Sequence, residues 1–97
     1  MDKMIQWTNR ARRVFEAMID YLETEHSETS AKNLVRAVYT KLQTLRKQPL
    51  IGRPSAKKKN IRYVLVKKRK IYYRVDGNTI HIVHIFDSRQ DPKKDPY

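Results

Sequence analysis

The apolar residues of this chain change their spacing once, and that change limits what it can fold into. They first recur as Ala11, Val14, Phe15, Met18, Ile19 and Leu22, then as Ala31, Leu34, Val35, Val38, Leu42 and Leu45. Both sets follow the i, i+3, i+4, i+7 rule, which turns one stripe of a helix toward a core. Thr8 stands where the first helix needs an N-cap, and Ser27 or Ser30 where the second does. The spacing predicts helices ending near Thr24 and Lys47, joined by a short polar link as an antiparallel hairpin. After Lys47 the rule stops. Pro49, Gly52 and Pro54 interrupt the chain, and residues 55–59 form a basic loop. Residues 61–66 and 71–75 are β-branched and aromatic runs, with Lys67 to Lys70 suited to a charged hairpin tip. Asp76-Gly77-Asn78 is a hairpin turn signal leading into a last strand from Thr79 to Phe86. Met4 to Trp7 reads only as a short apolar start. The fold class expected is α+β: an N-terminal helical hairpin packed on a small, mainly antiparallel twisted sheet. A single domain spans 1–97, and Asp91-Pro92 and Asp95-Pro96 mark residues 91–97 as an irregular tail.

Charge narrows the function classes. Of the 97 residues 22 are Lys or Arg and 10 Asp or Glu, a formal net charge of +12. All ten acidic residues lie outside positions 29–75, so that segment carries fifteen Lys or Arg with no counter-charge. Such a block sets up a positive field that draws phosphate backbones or acidic proteins. No apolar run approaches the roughly 20 residues that span a bilayer. The first residues also lack the apolar stretch of a secretory signal, so the expected location is the cytoplasm, away from any membrane. With no cysteine and three scattered histidines, neither thiol chemistry nor a metal site is expected, and nothing calls for a cofactor.

Certain residues, in their order, resemble a known family. Trp7 leads into the first helix, the leucine-rich end of the second runs into Pro49-x-x-Gly52-Arg53, and Arg62 follows. Then come Ile71-Tyr72-Tyr73-Arg74-Val75-Asp76, Ile82-Val83-His84-Ile85-Phe86 and Asp87-Ser88-Arg89-Gln90-Asp91. Taken together this is similar to the RelE/ParE superfamily of small toxins, over nearly the whole chain. The resemblance implies the toxin of a type II toxin–antitoxin module, causing growth arrest or plasmid stabilisation. Its implied partner is an acidic cognate antitoxin that wraps around it in a hetero-oligomer. Relatives similar to RelE cut messenger RNA on the ribosome, whereas those similar to ParE poison DNA gyrase without being nucleases. The two branches share a fold, so fold alone does not choose between them.

Cleavage of RNA needs a base for the ribose 2′-hydroxyl, cations for the phosphate and an acid for the leaving oxygen. The candidate cations are Arg62, Lys70 and Arg89, which could converge on one end or face of the sheet. The resemblance gives Lys70 and Arg89 the positions of phosphate-contacting arginines in RelE-like enzymes, and Arg62 that of an arginine common in ParE-like strands. The paired lysines of RelE-like toxins are replaced by Ile61 and Tyr63. Tyr97 is the single tyrosine beyond the last strand. His84, with His81 second, is the candidate for proton transfer, set against a plain structural role among Ile82, Val83 and Ile85. Tyr63, Tyr72 and Tyr73 could stack on bases, but alternation along a strand sends Tyr72 and Tyr73 to opposite faces, so one belongs to the core. The missing lysine pair tips the reading slightly toward a ParE-like inhibitor of gyrase. A ribosome-dependent nuclease is the alternative, and a basic nucleic-acid-binding module without toxicity a third reading.

Overall fold

The computed structural model describes residues 2–97. In chain order the elements are β1 (Met4–Trp7), α1 (Asn9–Glu25), α2 (Glu28–Lys47), β2 (Arg53–Pro54), β3 (Arg62–Val66), β4 (Arg69–Asp76) and β5 (Thr79–Asp87), then a 3₁₀ turn at Pro92–Lys94. The strands form one five-stranded sheet in the order β1-β5-β4-β3-β2. Its pairings are antiparallel except β1 with β5. The α+β reading with an N-terminal helical hairpin therefore holds.

Both helices start where a hydroxyl supplies the cap. Thr8 Oγ1 accepts from the Ala11 amide at 3.1 Å and Ser27 Oγ from the Ser30 amide at 3.0 Å, each satisfying a donor that the first helical turn leaves free. The stripes meet the sheet as the spacing requires. Ala11 of α1 and Ala31, Leu34, Val38, Leu42 and Leu45 of α2 are buried against Val64, Val66, Ile71, Tyr73, Ile80, Ile82 and Ile85. Val35 is a correction: counted in the stripe, it lies at the flank and is exposed.

Three features differ from the sequence reading in ways that matter for function. Met4–Trp7 is not merely an apolar start but an edge strand, pairing with Thr79–Ile82. The β3–β4 tip is only Lys67-Lys68, because Val66 pairs with Arg69. Arg69 and Lys70 thus belong to the strand and point to opposite faces. The third is a bulge. Tyr72 pairs with His84 and Tyr73 with Ile82, so Val83 is an extra residue. It resets the alternation, leaving Ile82 and Ile85 both facing the helices and turning His84 to the other face. Among the described residues no helix is long and apolar enough to cross a membrane.

Candidate functional site

Two surfaces concentrate chemistry. The first is the sheet face away from the helices, where the pairings set Arg53, Tyr63, Tyr72 and His84 in one row across β2, β3, β4 and β5. The tyrosine rings of 63 and 72 lie 5.5 Å apart, and those of Tyr72 and His84 6.5 Å apart. Lys70, on the same face, holds its ammonium 4.9 Å from the centre of the Tyr63 ring, a cation–π distance.

Residues 95–97 lie over this row. Asp91 caps the 3₁₀ turn by accepting from the Lys93 amide at 2.9 Å. The chain then sets Asp95 against the sheet, where it is 7% exposed. Tyr72 donates its hydroxyl to Asp95 Oδ2 at 2.5 Å, the Tyr97 amide donates to Oδ1 at 3.0 Å, and the Lys70 ammonium stands 3.7 Å from Oδ2. A buried carboxylate is tolerated only with such compensation. The Tyr97 ring packs on Tyr72 at 5.0 Å and on His84 at 5.7 Å. Burial and the Asp95 bond push the Tyr72 hydroxyl well above its ordinary range, so it stays a donor. His84 is 7% exposed, with its Nδ1 buried and without a hydrogen-bond partner among the described residues. Burial and then the nearby positive charge of Arg10 lower its pKa against the opposing pull of Asp95, which favours the neutral ring.

The second surface is an open cleft of about 1110 Å³ between α1, the start of α2 and the end of β5. Its apolar side includes Val14, Met18, Leu22, Leu34 and Ile85, and its rim carries Arg10, Lys67, Lys68, Arg69, Arg89 and Lys94. β1 covers β5 only as far as Ile82, so the β5 edge from Val83 onward has no strand beside it on that side. Asp87 is the acidic group in this cleft. Arg89 holds it through Nε at 2.9 Å and Nη2 at 2.6 Å, and these bonds bring the Asp87 carboxyl down to about 2. Arg69 is 9% exposed; one Nη donates to the Lys67 carbonyl at 2.8 Å, and its Nε is buried without a partner among the described residues.

The convergence expected of Arg62, Lys70 and Arg89 does not occur. Arg62 shares the helix face with Tyr73 and donates to the carbonyls of Gly52 at 2.8 Å and Leu50 at 3.4 Å. It sits four residues along the ladder from Arg69, roughly 13 Å at strand rise. Lys70 is on the opposite face against Asp95, and Arg89 follows β5 against Asp87. His84 shares a face with Lys70 and lines the cleft with Arg89. His81 lies toward the β1 side, 3.9 Å from Asp76. Tyr73 is the core tyrosine: its hydroxyl accepts from the Gly52 amide at 2.9 Å and donates to the Pro49 carbonyl at 2.7 Å. Arg53 is exposed on the edge strand. Asp95 was not singled out from the sequence; one acid before a proline in a terminal segment carries no mark of burial. Among the described residues no three His, Asp or Glu side chains come together to hold a metal ion.

Comparison with known proteins bears on this geometry. The family described as ParE toxin of type II toxin–antitoxin system, parDE, matches residues 5–92. A search of curated proteins found no match. Among solved structures, the chain is similar to one from the chromosomal ParDE toxin–antitoxin system of P. aeruginosa, with a TM-score of 0.75 and 21% identity over 88% of this chain and 95% of that one. It is also similar to one from the RelBE2 toxin–antitoxin complex of Mycobacterium tuberculosis, with a TM-score of 0.61 and 16% identity over 90% and 99% of the two chains.

Proposed function

The chain belongs to the ParE toxin family of type II toxin–antitoxin systems, and from that premise we propose that it is a non-nuclease inhibitor of DNA gyrase, held inactive by an acidic antitoxin. The observation that carries this reading is the separation of the candidate cations. Arg62 closes a loop by binding two carbonyls, Lys70 faces a buried carboxylate and Arg89 is paired with Asp87. Phosphoryl transfer would need several positive groups aimed at one phosphate, and here each has another partner on a different part of the surface. His84 is buried and burial lowers its basicity, which makes it poorly suited to take a proton from a bound hydroxyl.

An antitoxin would engage the cleft beside β5. It combines an apolar floor, an uncovered strand edge and a basic rim, which fits an acidic segment with a few apolar anchors. The nuclease reading draws on one observation, the row of Tyr63, Tyr72 and His84 beside Lys70, an arrangement able to stack bases.

Purified protein added to gyrase and relaxed plasmid should abolish supercoiling, and addition to ribosomes programmed with a defined message should leave it intact. Codon-phased cuts with untouched supercoiling would reverse the assignment. Expression without the neighbouring antitoxin should arrest growth.

A further inference from the structure

The segment lying on the open sheet face is bound there as a ligand is bound. Its Asp95 carboxylate receives a hydroxyl donor and an amide and faces an ammonium, from Tyr72, Tyr97 and Lys70 respectively. Two residues on, the Tyr97 ring fills the slot over Tyr72 and His84. The loop before β3 grips its main chain: Ser55 Oγ and the Lys57 amide donate to the Tyr97 main-chain oxygen, and the Lys57 ammonium to the Asp95 carbonyl. The segment adds no strand to the sheet, and the apolar core beneath the helices is complete without it. A short segment held mainly by polar contacts and ring packing is the kind of element that opens without global unfolding.

We propose that this face is a recognition slot for an extended peptide with an acidic residue two positions before an aromatic one. The chain's own Asp95-Pro96-Tyr97 fills it in cis, and a partner protein's segment of that chemistry displaces the strap. A peptide fits better than a nucleotide for two reasons. The Ser55 hydroxyl and the Lys57 ammonium grip main-chain oxygens of Tyr97 and Asp95, two residues apart along a peptide backbone. Moreover the acid sits beside a neutral hydroxyl and one ammonium, a set matched to a single carboxylate rather than a phosphate. The slot adjoins the cleft beside β5, with His84 lining both, and does not depend on gyrase being the target. Burial of Tyr72 and His84 under the strap means that the intact chain presents the slot only in its open state, which lowers apparent affinity by the open fraction.

The test uses the full chain carrying Asp95→Ala and Tyr97→Ala, with an acetylated peptide of residues 91–97 added in trans. Amide chemical shifts should show it binding with Kd below about 1 mM, perturbing Tyr63, Tyr72 and His84, while the unsubstituted chain binds at least tenfold more weakly. A peptide with alanine at its second aspartate should lose about tenfold. Binding of uridine or adenosine monophosphate in place of the peptide would overturn the proposal, as would no binding to a folded double variant. Should that variant fail to fold, hydrogen exchange on the unsubstituted chain decides. Strap amides exchanging faster than those of β4 and β5 support displacement, and exchange only together with those strands sinks it.

Discussion

Gly52 shows how one atom can tie a loop to a sheet. A Cβ built there would lie 2.5 Å from the Tyr73 hydroxyl oxygen and 2.9 Å from the Tyr63 carbonyl, far inside contact distance. The glycine is required by close approach, so that a fully buried tyrosine can bond Gly52 and Pro49 at once. Gly52→Ala should therefore cost about 2–3 kcal/mol by overpacking, and Tyr73→Phe about 1–2 kcal/mol by leaving an amide and a carbonyl unpaired. Urea denaturation measures both, and a Gly52→Ala change within experimental error would show that the loop yields. His84 supplies a pH test. Burial and Arg10 hold its pKa below the ordinary 6.5, so the unfolded chain takes up a proton near that value while the fold does not. The stabilisation is complete above 6.5 and is lost as pH falls toward the native value, with a slope of at most about 1.4 kcal/mol per pH unit. His84→Phe keeps a ring and should flatten this limb; an unchanged limb would assign it to other groups.

At the scale of elements, the helices were legible because their signals are local: a capping hydroxyl and a stripe of 3.6-residue period. Strands β3, β4 and β5 and the turn at Asp76-Gly77-Asn78 were legible for the same reason, whereas the β3–β4 turn was drawn two residues too long and the two-residue β2 was not read as a strand. What escaped depends on distant parts of the chain. Four residues at Met4–Trp7 become a strand only because β5 offers an edge. The bulge at Val83 arises from pairing, and without it His84 would share a face with Ile82. Nor does a local signal bring Asp95 under the Tyr72 hydroxyl. The candidate cations were nameable, but their separation became visible only once the strands were paired. The β3–β4 turn is a case where local chemistry and fold disagree. Lys67 and Lys68 have φ of 47° and 66°, the left-handed region in which a two-residue hairpin favours Asn-Gly. Giving the turn that favoured pair, through Lys67→Asn together with Lys68→Gly, should stabilise the chain by about 1 kcal/mol. Lys67→Gln with Lys68→Gln removes the same charges without relieving the backbone and should gain less. Equal gains in thermal denaturation would mean that charge repulsion, not conformation, was relieved.

The whole molecule carries its charge asymmetrically. The block from 29 to 75 has no acidic residue, and the fold sets its hairpin lysines beside Arg10, Arg89 and Lys94 at the cleft rim. Asp87, the acid there, is already held by Arg89, so the rim presents a field that reaches about one Debye length into solvent. An acidic antitoxin docking here as proposed would gain most of that attraction before contact, whereas its bound state would also rest on apolar burial and strand-edge hydrogen bonds that salt scarcely screens. Raising salt from about 0.05 to about 0.5 M should therefore slow association by about tenfold or more and change dissociation much less. Stopped-flow mixing with the cognate antitoxin measures both. Replacing Arg10, Lys67, Lys68 and Lys94 with glutamine should reproduce the high-salt association rate at low salt. If the charge-depleted variant still associates at the original rate, steering resides elsewhere in the basic block and the cleft beside β5 is not where the antitoxin first lands.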